Sequence, residues 1–303
     1  MRARDVGELL LLSVLWGAAY LFMRAAVPAF GPGPLIALRL AIAAAVLLPL
    51  LLWRGGLWQL SAQPAALLVQ AVPLTALPFL LLGFAAQHVT AGLLAVLNAT
   101  APLFAALLGH FVFHERLGRW RSAGLVVGFG GVALLTAGGV SLKSAQGLLA
   151  VAAALLASLL WAVGANFTRR RLGGIDNLAL TVGSMALGAL SLAPLAAATW
   201  PVAAPPTRAW IETTFLGVAS SALGFLLFYR LLRRIGPVRA ISVTFLNPVV
   251  AFVAAAFYLG EAVTWQTVGS AAVVLVGTAL ALGLWPTLGA PAAVPASDGP
   301  RSS

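Results

Sequence analysis

The sequence contains no cysteine and few charged residues. The lack of cysteine excludes disulfides, thiolate metal sites and thiol nucleophiles. Only 8% of the 303 residues are charged and 61% are hydrophobic, with a mean hydropathy of +1.02. A water-soluble globule of this composition would expose large apolar patches, which soluble proteins avoid. The composition therefore predicts an integral membrane protein and excludes a soluble enzyme or binding domain.

Acidic residues are scarcer than basic ones: seven Asp and Glu stand against eighteen Lys and Arg, a net charge of +11. The basic residues are scattered through short loops, so we interpret them as topology determinants rather than a nucleic-acid surface. No carboxylate falls in the middle of an apolar run, so an obvious proton relay is lacking. No Walker loop, metal cluster or nucleophile–base arrangement is present, and we expect neither enzymatic activity nor a cofactor or metal.

The sequence has long apolar runs, and a transmembrane helix needs about 20 such residues. The predicted fold is therefore all-α and integral to the membrane, with ten transmembrane helices. The runs lie near residues 6–27, 34–53, 65–86, 90–112, 119–138, 146–168, 176–198, 210–231, 238–259 and 265–285.

The basic residues also predict an orientation. With a cytoplasmic N terminus, fourteen of the eighteen fall on the cytoplasmic side, and only Lys143 and Arg208 on the other. Cytoplasmic loops are enriched in Lys and Arg. We therefore predict a multi-pass protein of the cell inner (plasma) membrane with both termini cytoplasmic. The tail 286–303, rich in Ala, Pro, Gly and Ser, is predicted to be disordered.

The two halves of the chain resemble each other at a fixed offset. Residues separated by 145 or 146 positions include Trp16 and Trp161, Pro102 and Pro248, and Glu115 and Glu261. This predicts two five-helix repeats, residues 1–139 and 140–285. An odd number of spans places the second repeat upside down in the membrane. Inverted repeats are typical of secondary transporters, whose substrate site lies near the midplane between the repeats.

The repeated stretches resemble a known family. Residues 113–117 and 258–264 look like the LGE-x-(L/V)-T signature of the EamA family, within the drug/metabolite transporter superfamily. Leu246-Asn247-Pro248, Leu15-Trp16-Gly17 and Arg39 fit as well, whereas His114 and Gly118 depart from the signature. The resemblance implies ten helices, alternating access and export of amino acids or other small metabolites. The pattern is similar to that of YddG-type exporters, which handle aromatic and other amino acids.

Candidate substrate contacts are polar and aromatic residues near the middle of the runs. Asn98 and Asn247 precede the equivalent prolines, whereas Trp16, with Tyr20 one turn away, and Trp161 lie inside runs, unlike the other seven tryptophans. We expect the apolar part of a substrate on the aromatic rings and its polar part near the asparagines. The alternatives are helix–helix packing by both residue types, or capping of the proline defects by the asparagines.

Weaker candidates for substrate binding are Thr75, Phe79, Asn166, Ser221, Phe225 and Thr244. Each of these residues could equally serve helix packing. Three prolines within the runs, Pro78, Pro102 and Pro248, are candidate hinges for gating, and static kinks are the alternative.

Charged and titratable groups inside the runs are few. Arg39 could bind a substrate carboxylate, close an outer gate or snorkel to the outer interface. His110 is the titratable base toward the inner half of its run, and proton coupling through it is one hypothesis. Glu115 and Glu261 are expected to make first-turn or interfacial charge interactions rather than couple protons.

The function predicted from these patterns is secondary export of amino acids, including aromatic ones, or of similar small metabolites. The expected partners are a small-molecule substrate and membrane lipids, without nucleic acid, and the protein is expected to be a monomer. One alternative is an exporter of drugs and lipophilic cations. Another is a structural or receptor-like membrane protein without transport.

Overall fold

The computed structural model describes residues 3–114, 117–137, 144–235 and 243–282, and helices cover each of the ten predicted runs within them. Five helices come from the first half: α1, Ala3–Phe30; α2, Pro32–Trp53; α3, Pro64–Ala85; α4, Ala91–Asn98 and Ala101–Phe113; and α5, Arg119–Ala137. A short helix, Trp58–Ala62, precedes α3. Five more come from the second half: α6, Ala145–Arg171; α7, Asn177–Ala198; α8, from Thr207–Phe215 through Gly224–Ile235; α9, Val243–Leu259; and α10, Trp265–Ala281.

Local sequence signals define several helix boundaries. Gly31 adopts a φ of 73° between α1 and α2, and Pro32 follows as the first residue of α2, where a missing N–H costs nothing. Threonine or serine hydroxyls cap three helices: Thr90 caps α4, Ser144 caps α6 and Thr264 caps α10, each by accepting a backbone N–H.

The helices have the dimensions and the surface of a membrane protein. Seven of the described helices are long and apolar enough to cross a membrane, and α9 and α10 are shorter apolar helices. Large hydrophobic side chains are widely exposed on the outer surface, including Leu10, Phe111, Val126, Leu190 and Phe257. An apolar exterior of this extent is stable in lipid rather than water. The protein is therefore a multi-pass membrane protein.

Helix packing follows the same scheme in both halves. α1 packs against α8 and α9, and its counterpart α6 packs against α3 and α4. α2 packs along α7, and α5 along α10, so these pairs join equivalent helices. Each of these contacts connects one half of the chain to the other. The core therefore lies between the halves, and α1 and α6 are inserted into the opposite half.

Glycines allow the close approach of α5 and α10. A Cβ atom built on Gly277 would lie 2.2 Å from the backbone nitrogen of Gly128, and one on Gly124 would lie 2.3 Å from that of Ala281. Such distances are far below van der Waals contact, so only glycine fits. The Gly124–Gly128 pair therefore packs inside the fold.

Two helices contain π-helical turns at equivalent positions. These turns are Val72–Ala76 in α3 and Leu216–Leu223 in α8. α4 is interrupted by a turn at Ala99–Thr100, whereas α9, its counterpart, continues through Pro248. π-helical turns rotate the following residues relative to a regular helix and are frequent at functional sites. The interior faces of these helices are therefore candidate surfaces for a binding site.

Candidate functional site

Two tryptophans lie between the halves, each against a phenylalanine. Trp16 of α1 contacts Phe225 of α8 with ring centroids 5.7 Å apart, and Trp161 of α6 contacts Phe79 of α3 at 5.0 Å. Both contacts are edge-to-face, a favourable geometry for aromatic rings. Because these tryptophans are 145 residues apart and the phenylalanines 146, the two pairs are equivalent in the repeated sequence. The structure thus brings four of the predicted site residues together in two matching pairs.

Arg39 of α2 lies between these pairs and is only 3% exposed. Its Nε donates to the Ser221 hydroxyl at 2.9 Å and its Nη2 to the Ser220 hydroxyl at 3.2 Å. The guanidinium carbon lies 4.1 Å from the centroid of the Phe79 ring, within the range of a cation–π interaction. The snorkelling interpretation of Arg39 is therefore wrong, because the π-helical turn of α8 and the Phe79 ring hold the guanidinium inside the fold.

Ser220 also connects Arg39 to the first aromatic pair. The indole Nε1 of Trp16 donates to the backbone carbonyl of Ser220 at 3.1 Å. We call the resulting group the Arg39 cluster; it consists of Trp16, Arg39, Phe79, Trp161, Ser220, Ser221 and Phe225. Both tryptophans belong to it, one through Ser220 and the other through Phe79.

Tyr20 and Asn98 adjoin the Arg39 cluster. Tyr20 lies one turn beyond Trp16 in α1, and the amide Nδ2 of Asn98 donates to its hydroxyl at 2.7 Å. The other amide atom, Asn98 Oδ1, is buried without a hydrogen-bond partner, as is Arg39 Nη1. Asn98 therefore links α4 to α1 through one atom and keeps an unpaired acceptor inside the fold.

Other predicted contact residues lie outside this group. Thr75 and Asn166 donate to backbone carbonyls of their own helices, those of Gln70 and Ala162. Asn247 is buried in α9 with its Oδ1 unpaired, and Thr244 is half-buried near the start of the same helix.

His110 and the three candidate hinge prolines lie at separate positions in α3, α4 and α9. His110 lies twelve residues beyond Asn98 in α4 and contacts the Phe111 ring. Pro78 follows the π-helical turn of α3, and Pro102 lies in the first turn of the second α4 segment. Pro248 is buried inside a continuous α9.

An ion-pair group that the sequence reading missed connects α1 to α8. Arg234 Nη1 lies 3.2 Å from Asp5 Oδ1, and Arg234 also bonds to Glu8. Arg230 Nη1 lies 3.6 Å from Glu8 Oε1. We call these four residues the α1–α8 ion-pair group. The available signal was their spacing: the acids are three positions apart and the arginines four, which places each pair on one helix face.

Glu261 lies between α9 and α10 and interacts with the N terminus of a different helix, α4. The Ala91 N–H donates to Glu261 Oε2 at 3.0 Å, and Arg24 Nε lies 3.8 Å from Oε1. Desolvation by burial raises the pKa of Glu261, and the Ala91 N–H and the Arg24 charge oppose that effect. The carboxylate therefore makes the predicted interfacial interaction with the first turn of α4 rather than of α10. Glu115, its counterpart, lies outside the described residues.

Comparison with known proteins finds a family of membrane transporters. The EamA-like transporter family matches residues 7–137 and 148–283. The chain is 27% identical over 274 residues to the uncharacterized inner membrane transporter YedA of Escherichia coli, covering 87% of this chain and 86% of that protein. It is 29% identical over 265 residues to a probable terminal-alkyne amino-acid exporter of Streptantibioticus cattleyicolor, covering 86% of each.

A solved crystal structure has a similar fold. It superposes with a TM-score of 0.70 at 21% identity and covers 95% of this chain and all of the other. The family and the relatives indicate a transporter rather than an enzyme, as is consistent with the drug/metabolite transporter superfamily. Since the family match extends over both halves, the predicted resemblance is confirmed: the chain belongs to the EamA-like transporter family.

Proposed function

We propose that this transporter exports amino acids, aromatic ones included, or similar small metabolites by alternating access. The observation that carries the proposal is the Arg39 cluster, which combines two equivalent aromatic pairs with a buried cation between the halves of the chain. Unpaired buried acceptors on Asn98 and Asn247 add hydrogen-bonding capacity. Aromatic walls with a few convergent polar groups are typical of small-molecule sites.

The proposed architecture is ten membrane spans in two inverted five-helix repeats, with both termini cytoplasmic in the inner membrane. Helices at equivalent positions in the two halves pack against equivalent partners in the opposite half, and this supports the repeat. The distribution of Lys and Arg supports the orientation. Because the repeats already pair with each other, the proposed transport unit is the monomer.

Alternating access would use the two ends of α1. The α1–α8 ion-pair group fastens the N-terminal end of α1, which the proposed orientation places at the cytoplasm. Further along the same helix, Trp16 contacts the Arg39 cluster. Opening toward the cytoplasm would separate α1 from α8, with Pro78, Pro102 and Pro248 as proposed hinges.

The cargo class is supported by one relative and by electrostatics. The protein of Streptantibioticus cattleyicolor bears the name of an amino-acid exporter. The alternative cargo, lipophilic cations, is disfavoured because Arg39 places a positive charge inside the fold, where the low dielectric strengthens repulsion between like charges.

The test is flux in proteoliposomes that contain the purified full chain. Each of the common amino acids is supplied with and without a pH gradient, and Trp16→Ala, Trp161→Ala and Asn247→Ala variants are compared with the unmodified protein. We expect reduced flux in all three variants and unchanged flux in Trp265→Ala, whose side chain is 91% exposed. No amino-acid flux would contradict the function, whereas equal flux in the three variants would contradict the site alone.

A further inference from the structure

Arg39 is a buried cation whose charge nothing in the described structure neutralises. Its polar contacts are two neutral serine hydroxyls, and the Phe79 ring covers one face. We propose that Arg39 binds the carboxylate group of the transported molecule, so that a carboxylate is required for recognition. This inference rests on the proposed export function and adds the chemical group that the site selects.

The described acidic residues have other partners. Asp5 and Glu8 pair with Arg234, Glu212 pairs with Arg208, and Glu261 pairs with Arg24. Asp176 caps α7 by accepting the backbone N–H of Leu178 at 2.9 Å. A buried charge is costly unless an opposite charge compensates it, and hydroxyl groups supply only part of that compensation. A ligand carboxylate would complete the pairing.

The hydrogen-bond geometry leaves one end of the guanidinium available. The serines occupy Nε and Nη2, the two nitrogens along one edge of the planar group. Nη1 is buried and has no partner. Since guanidinium binds carboxylate through adjacent parallel N–H groups, the serines hold the side chain in place while the end that bears Nη1 is offered to a carboxylate.

A neighbouring unpaired acceptor could bind a second group of the same ligand. Tyr20, one turn beyond Trp16 in α1, accepts a hydrogen bond from Asn98, whose Oδ1 is buried without a partner. The unpaired donor on Arg39 and the unpaired acceptor on Asn98 are the chemical complements of the carboxylate and ammonium groups of an α-amino acid. Arg39 supplies the charge, whereas Asn98 is suited to the ammonium group.

The two other roles of Arg39 fit the structure less well. Snorkelling is contradicted by its 3% exposure. An outer gate needs a carboxylate across the gap, and the one acid in the described part of α8, Glu212, already bonds to Arg208 and Tyr258. A purely structural clamp between α2 and α8 would leave recognition independent of the carboxylate. The clamp is therefore the hypothesis that an experiment must separate from ours.

The experiment uses the amino acid that moves fastest in the flux panel, with its own primary amide as competitor, such as L-phenylalaninamide for L-phenylalanine. Loss of a charge-assisted hydrogen bond typically weakens binding by about tenfold or more. We expect the free acid to compete at least about tenfold better than the amide. Equal competition by acid and amide would overturn the carboxylate role while leaving export intact, and no flux of any amino acid would overturn both.

Variants test whether Arg39 causes the preference for the free acid over the amide. We expect Arg39→Gln to abolish the acid-over-amide preference and Arg39→Lys to restore part of it, because the charge returns without the planar fork. Arg24→Gln is the matched control, since it removes another helix arginine outside the cluster, and should keep the preference. If Arg39→Gln does not fold, the Ser220→Ala/Ser221→Ala double variant should reduce the preference. A full preference in Arg39→Gln, or in the double variant when Arg39→Gln does not fold, would overturn the inference.

Discussion

The indole nitrogen of Trp16 donates to the backbone carbonyl of Ser220, 204 residues away in the sequence, at 3.1 Å. This bond connects α1 to the π-helical turn of α8, where carbonyl groups are displaced from the regular helical pattern. Inside a membrane protein a polar N–H needs an acceptor, and the Ser220 carbonyl supplies one for the indole of Trp16.

Trp16→Phe should therefore lower stability while keeping an aromatic ring in the site. The variant removes the hydrogen bond from the indole N–H to the Ser220 carbonyl, a net loss of about 0.5–1.5 kcal/mol. The measurement is the thermal unfolding midpoint of the detergent-solubilised protein. Trp265→Phe, at an exposed position, controls for loss of an indole and should leave the midpoint unchanged. An unchanged midpoint in Trp16→Phe would contradict the bond.

Gly277→Ala should destabilise the protein strongly. Its Cβ would meet the backbone of Gly128 at 2.2 Å, so α5 and α10 must separate, and overpacking costs about 1–3 kcal/mol or more. The matched control is Gly269→Ala in the same helix, where a Cβ meets nothing within 4 Å. That control should be neutral or stabilising, since alanine favours helix. Similar midpoints for the two variants would show that the helices are not in close contact.

The stability should depend on pH through Glu261. Burial raises its pKa above the ordinary value of 4.5, so the folded state binds this proton more tightly than the unfolded state does. The resulting stabilisation is present at low pH and is lost as the pH rises through the folded pKa. We expect the difference in unfolding midpoint, native protein minus Glu261→Gln, to fall with rising pH across that window. A constant difference would contradict the raised pKa.

The proposed orientation can be tested by labelling, because the native chain has no cysteine to interfere. Ala203→Cys lies in the loop between α7 and α8, and Ser61→Cys lies between α2 and α3. In intact cells, a membrane-impermeant thiol reagent should label Ala203→Cys, and it should reach Ser61→Cys only after permeabilisation. The reverse result would place the N terminus outside.

Much of the fold could be predicted because hydropathy and repeat spacing can be read from the sequence without knowing how the helices pack. Apolar runs predicted the positions of the helices, and the offset identified Trp16 and Trp161 as equivalent residues, each of which contacts a phenylalanine in the structure. The family signature was sufficient to identify the family.

The site was less predictable because it depends on how the helices are rotated. The π-helical turn of α8 brings Ser220 and Ser221 to Arg39, and nothing in the local sequence around Arg39 distinguishes a buried guanidinium from a snorkelling one. The spacing of Asp5 and Glu8 is that of one helix face, but only the packing of α1 on α8 identifies Arg230 and Arg234 as their partners.

Ser220 makes two chemically independent connections. Its carbonyl binds Trp16 of α1, and its hydroxyl binds Arg39 of α2. Replacing Ser220 with alanine removes only its hydrogen bond to Arg39 of α2. Replacing Trp16 with phenylalanine removes only the hydrogen bond between α1 and the Ser220 carbonyl. A single residue of α8 thus lets the contribution of each neighbouring helix be measured separately.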